Sequence, residues 1–227
     1  MSVERKQFTI LEADDFPAEQ FDDAPQQAYT ATLGMWAFLA TEVLFIGAIF
    51  AAFYVGRFRF PDAFAEGAKE LKWPLGTLNT AVLLGSSFSM ALAVHAAREG
   101  QAAAIFRRVL LTLALGGAFL AIKAVEYAIE FRDRLVPGLN FSTVSPEGVA
   151  RPARMELFMA FYFALTGVHA LHMLVGVGLL TWVAWLARRG TLTAAWHTPV
   201  EVVGLYWHFV DLVWVFVFPT LYLLRHP

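Results

Sequence analysis

The sequence predicts an all-α integral membrane protein, a helical bundle with five transmembrane helices, and three observations predict it. Of its 227 residues 58% are hydrophobic and only 16% charged, with 21 Phe and a mean hydropathy of +0.56, which is not the composition of a soluble core. Five apolar stretches, near 31–56, 75–97, 103–131, 154–187 and 199–224, reach the roughly 20 residues that a helix needs to cross a bilayer. Lipid offers no hydrogen bonds to backbone groups, which excludes open sheet or irregular chain at that depth. The expected organisation is a polar N-terminal tail, 1–30, followed by one membrane domain, 31–227.

The tail mixes Glu12, Asp14, Asp15, Glu19, Asp22 and Asp23 with Pro17 and Pro25 and has no apolar centre, so it reads as extramembrane rather than as a targeting signal. A net charge of −2 argues against a nucleic-acid partner. The absence of cysteine removes disulfides and thiolate sites for zinc or copper. Basic residues do not decide the orientation: Arg98, Arg107, Arg108, Arg188 and Arg189 flank one side, Arg57, Arg59, Lys69, Lys72, Arg132, Arg134, Arg151 and Arg154 the other.

The first span carries Glu42 within Trp36-Ala-Phe-Leu-Ala-Thr-Glu-Val-Leu-Phe-Ile-Gly47, with no cation near it in sequence. Two readings stand: an acid hydrogen-bonded to a neighbouring helix, or a proton-responsive group beside a transport route or lipid cavity. The second span opens with Pro74-Leu-Gly-Thr-Leu-Asn79-Thr80 and continues with Gly85-Ser86-Ser87-Phe88-Ser89. Small and hydroxylated residues at helical spacing suit close helix approach and interhelical hydrogen bonds. His95 is expected at the interface. The third span places Lys123 and Glu126 three residues apart, on one helical face where they can pair. Tyr127 and Glu130 follow.

The fourth span, longer than a bilayer requires, is expected to tilt or project beyond it. It holds His169 and His172, again three apart. Both can address one side, and with His208 or Asp211 of the fifth span they offer a mononuclear metal site. Core histidines hydrogen-bonded beside Thr166 and Gly167 are the favoured reading. No Glu-x-x-His pair of the di-iron bundle kind occurs in the spans. The fifth span carries Tyr206-Trp-His208-Phe-Val-Asp211-Leu-Val-Trp214. An Asp at mid-membrane costs about 2.5 kcal/mol or more. A His208–Asp211 hydrogen bond, or completion of the pair by a partner subunit, is the expected remedy. Tyr222, Arg225 and His226 are expected to mark the exit into the interface.

Taken in order, these motifs resemble subunit III of the haem-copper respiratory oxidases, in its five-helix bacterial form. The resemblance rests on Phe38-Leu-Ala-Thr-Glu42-Val-Leu-Phe45, Leu78-Asn79-Thr80, Glu126-Tyr127, Thr166-Gly-Val-His169-Ala-Leu-His172 and Tyr206–Trp214, and covers about residues 33–224. It implies a core subunit of a cytochrome c oxidase type complex with no catalytic centre of its own, binding subunit I directly beside subunit II. Haem and copper would belong to those partners and phospholipid to this chain. Glu42 matches the family's carboxylate linked to proton uptake and durable turnover. Glu126, His169, His172, His208 and Asp211 match structural positions, and Arg188 and Arg189 fall where basic residues hold phospholipid head groups. The implied location is a bacterial plasma membrane with the N-terminus cytoplasmic. Against the seven spans of many members, the first two are missing here, and 140–154 reads as an insertion rich in Pro, Glu and Gly. The alternatives are an accessory protein of nitric oxide reductase with the same fold, an autonomous metal-binding membrane enzyme, and a self-contained proton channel.

Overall fold

A computed structural model describes residues 20–224. Most of the acidic tail and the terminal Arg225 and His226 lie outside the described residues. The elements are α1 (Ala24–Arg59), α2 (Pro61–Glu70), α3 (Trp73–Arg98), α4 (Ala102–Arg132), α5 (Met155–Arg189) and α6 (Thr198–Phe218), the last running on into a π-helical turn, Pro219–Leu223. Among the described residues there is no strand, and the one β pairing is an isolated bridge between Val144 and Ala150. Five helices, all but α2, are long and apolar enough to cross a membrane.

Local chemistry sets the helix ends. Asp23 accepts a hydrogen bond from the Gln26 amide at 2.7 Å, and Pro25 sits in the first turn, so α1 starts at Ala24 rather than near residue 31. Hydropathy locates the lipid-crossing part of a helix, whereas capping locates its start. Gly190, at φ 72°, closes α5 in the left-handed conformation that glycine adopts without strain. At 35 residues and about 1.5 Å per residue, α5 exceeds the roughly 30 Å hydrocarbon core.

α2 was not anticipated from hydropathy because it is short and amphipathic. It buries Ala63, Phe64, Ala65, Gly67 and Ala68 against α1 and α5, and Phe64 meets Phe53, Phe158 and Phe161 in one aromatic cluster. The long loop between α4 and α5 is held from within by Arg151. Its buried guanidinium donates to the carbonyls of Asp133, Arg134 and Ser142 and reaches Glu70 of α2 at 3.4 Å.

Helices α3, α4, α5 and α6 close a four-helix ring, each packed on the next and α6 back on α3; α1 lies outside it, in the seam between α5 and α6. The buried positions of α1 are Leu39, Ile46, Phe53 and Gly56, a narrow stripe whose first three members are seven apart. Trp207 wedges into the ring where Gly116 of α4 and Gly176 of α5 leave room. A Cβ would stand 2.8 Å from the indole at Gly116 and 2.9 Å at Gly176. The hydroxyls of α3 serve the indoles of α6: Trp207 Nε1 donates to Ser86 Oγ at 2.9 Å and Trp214 Nε1 to Thr80 Oγ1 at 3.1 Å.

Candidate functional site

Polar side chains within the spans gather into three groups, each on a different seam. The first joins α1 to α5. Glu42 Oε2 lies 3.0 Å from His172 Nε2, and His172 Nδ1 lies 2.9 Å from the Val168 carbonyl. A carbonyl only accepts, so Nδ1 carries a hydrogen. The contact between Nε2 and the carboxyl then needs one further proton, held either as carboxylic acid donating to Nε2 or as imidazolium donating to carboxylate. The pair therefore stores a single proton that either residue can carry. Tyr206 fastens it from α6, donating to the His172 carbonyl at 2.9 Å, and the Tyr206 ring stacks on Phe38. Both polar side chains retain a little exposure, 18% for Glu42 and 15% for His172.

The second group lies among α4, α5 and the π-turn and is sealed. Lys123 Nζ stands 2.9 Å from Glu126 Oε2, as the three-residue spacing anticipated, and donates also to Tyr162 and Tyr222 at 2.9 and 3.1 Å. Tyr222 donates onward to Glu126 Oε1 at 2.6 Å. The rings of Tyr162, Tyr127, Trp214 and Tyr222 surround the ammonium at 4.8, 5.1, 5.5 and 5.8 Å, a cage whose ring faces favour a cation. Tyr222, expected to mark the interface, is instead fully buried as a partner of this ion pair. Tyr127 and Thr166 hydroxyls meet at 2.7 Å beside it.

The third group sits where α3 meets α6. The expected His208–Asp211 hydrogen bond is not formed. His208 Nδ1 pairs with Ser87 Oγ at 2.8 Å, and both oxygens of buried Asp211 lack a hydrogen-bond partner. The helix carries the two side chains to different depths: His208 stays half-buried near the surface while Asp211 turns inward. His169 is not hydrogen-bonded as expected either. Its buried ring packs against Phe119 and Trp214, with centroids 5.3 and 5.0 Å away, and both nitrogens lack partners.

The histidines and the aspartate thus diverge, His172 toward Glu42, His169 toward Phe119 and Trp214, His208 toward Ser87. Among the described residues no three His, Asp or Glu side chains converge on a point where a metal ion could be held. The donor set does not fit the autonomous metal site. Arg188 and Arg189 end α5 on the surface, the Arg189 guanidinium stacked 3.7 Å over the Trp185 ring, an arrangement suited to the membrane interface.

A sequence profile of cytochrome c oxidase subunit III matches residues 22–132 and 154–225. The chain belongs to that family. Relatives agree over nearly the whole length. Cytochrome c oxidase subunit 3 of Thermostichus vulcanus is 30% identical over 204 residues, 89% of this chain and 92% of that one. Quinol oxidase subunit 3 of Bacillus subtilis is 29% identical over 197 residues, 85% and 86% of the two chains. Cytochrome c oxidase subunit 3 of a Synechocystis strain is 34% identical over 193 residues, covering 84% and 74%. The chain is a haem-copper oxidase subunit III, a multi-pass membrane protein and a member of a complex with other subunits. The two blocks of the profile match leave out the loop that Arg151 holds in place, in keeping with an insertion.

Proposed function

We propose that this chain is the non-catalytic core subunit III of a bacterial haem-copper terminal oxidase of the cytochrome c oxidase type. In that complex oxygen is reduced to water and protons are pumped. The chain stabilises subunit I by direct contact, stands beside subunit II, holds phospholipid and supports proton uptake. Haem and copper belong to the partner subunits, and no step of their chemistry runs through residues of this chain. Its place is the plasma membrane, with the N-terminus cytoplasmic.

The observation that carries the proton-linked part is the Glu42–His172 contact at 3.0 Å. A single shared proton, partly exposed at the middle of two long helices, makes a site able to take up and return a proton. Support for the lipid-holding part comes from an apolar groove of about 340 Å³ between α1 and α6, lined by Val43, Ile46, Phe50, Phe209, Leu212 and Phe216. A groove of that shape suits an acyl chain. Arg188 and Arg189, exposed at the end of α5, supply guanidinium groups that match a phosphate.

Gentle purification in mild detergent tests the assignment. The reading predicts co-elution with a polypeptide carrying haem and copper in fixed ratio to this chain. Recovery with a nitric oxide reductase, or free of any haem protein, would overturn it.

A further inference from the structure

Two carboxyl groups and a single ammonium lie buried near the C-terminal end of α4, so their charges do not balance. An ammonium has three N–H donors, and those of Lys123 are engaged with Glu126, Tyr162 and Tyr222. Glu126 takes the ion pair on Oε2 and the Tyr222 hydrogen on Oε1, which completes one neutral unit. Glu130, one turn further along the same face, is 3% exposed and is left outside that unit. Neither of its oxygens has a well-aligned hydrogen bond, and the Tyr162 hydroxyl is the polar group it meets.

No cation compensates Glu130. The charged side chains that face it are Lys123, already paired, and the carboxyl groups of Glu126 and Asp133. Tyr127 on α4 and Tyr222 on the π-turn complete its ionisable neighbours. α3, also packed on α4, has no ionisable side chain before His95 at its far end. The Arg151 guanidinium is occupied by loop carbonyls and Glu70, and that of Arg132 is exposed beside Asp133 at 3.5 Å. An uncompensated carboxylate is far costlier to bury than the neutral acid.

Asp133 provides the way to water. It caps α4 three residues beyond Glu130, and its side chain is 23% exposed. In the other direction the caged Lys123 ammonium lies between Glu130 and His169. A fixed positive charge there bars a proton from passing on to the Glu42–His172 pair.

We infer that Glu130 is a second proton-binding site, a buried carboxylic acid that exchanges its proton with water at the C-terminal end of α4 through Asp133. The O–H bond breaks at Glu130 and forms at the Asp133 carboxylate, which then releases the proton to water; uptake runs in reverse. This site is independent of the oxidase reading, since every group in it belongs to this chain.

Infrared spectroscopy of the gently purified complex, transferred from H2O to D2O, tests it. The expected result is a carboxylic acid C=O band at neutral pH that moves down on deuteration, is lost in Glu130→Gln and is kept in Glu42→Gln. Tyr162→Phe removes the hydroxyl contact and is expected to shift the band. Asp133→Asn is expected to slow its deuteration several-fold. No such band, or one unchanged in Glu130→Gln, would overturn the buried acid. Should Glu130→Gln not assemble, a band unmoved in Tyr162→Phe would overturn it. Deuteration as fast in Asp133→Asn as in the parent would overturn the route through Asp133.

Discussion

Glu42 on α1 and His172 on α5, 130 residues apart in sequence, meet at 3.0 Å through Oε2 and Nε2. The Val168 carbonyl fixes the hydrogen on Nδ1, so the contact exists only while the pair holds one shared proton. Glu42→Gln separates packing from proton storage, because an amide N–H still donates to Nε2 but cannot give its proton up. Its thermal stability in detergent is expected to match the parent complex, with turnover slowed or shortened in duration. Turnover rate and duration equal to the parent in Glu42→Gln would mean that the pair acts only by packing.

The caged ion pair of Lys123 and Glu126 is structural. Lys123→Met strands a buried carboxyl group beside Tyr222 and is expected to cost about 3–5 kcal/mol. Tyr222→Phe removes the 2.6 Å bond to Glu126 and is expected to cost about 1.5–3 kcal/mol. Unfolding in detergent, followed by circular dichroism, ranks the two. A Lys123→Met chain as stable as the parent would remove the structural role.

Trp207 fits because Gly116 and Gly176 lack side chains. Gly176→Leu forces the indole out of its slot and is expected to destabilise the bundle by about 1–3 kcal/mol through overpacking. Trp207→Phe loses the bond to Ser86, an interaction of about 0.6 kcal/mol on average between membrane helices, together with buried ring area. Midpoints of thermal unfolding for the two variants check both expectations.

Much of this architecture is legible in the sequence, and the remainder is not for definite physical reasons. The apolar lengths disclose the spans, and the three-residue spacing of Lys123 and Glu126 discloses their pairing, since both depend on local helix geometry. Ser86 and Thr80 likewise read as helix-packing hydroxyls, but the indoles of Trp207 and Trp214 that use them come from a distant helix. The Glu42–His172 pair is invisible to a local reading for the same reason. His208 and Asp211 share a spacing that suggests a bond, yet the flanking Ser87 takes the imidazole instead. Tyr222 sits near the chain's end, where aromatics usually mark the interface, and only the π-turn after Pro219 carries it inward to Glu126. α2 had a signal in the spacing of Ala63, Phe64 and Ala68 that a search for membrane-length stretches passes over.

Arg188 and Arg189 differ in their surroundings, since Arg189 already stacks on Trp185 at 3.7 Å. Arg188→Gln with Arg189→Gln is expected to reduce the anionic phospholipid retained through purification, as read by native mass spectrometry of the complex. Unchanged lipid content would remove head-group binding from these two residues.

The most direct measurement is the number of turnovers the purified complex completes before activity decays, compared between the parent and Glu42→Ala. Proton support by this subunit predicts unchanged haem spectra and subunit content with slower or shorter-lived turnover, and the same outcome for His172→Phe. Rate and lifetime equal to the parent in both variants would contradict it.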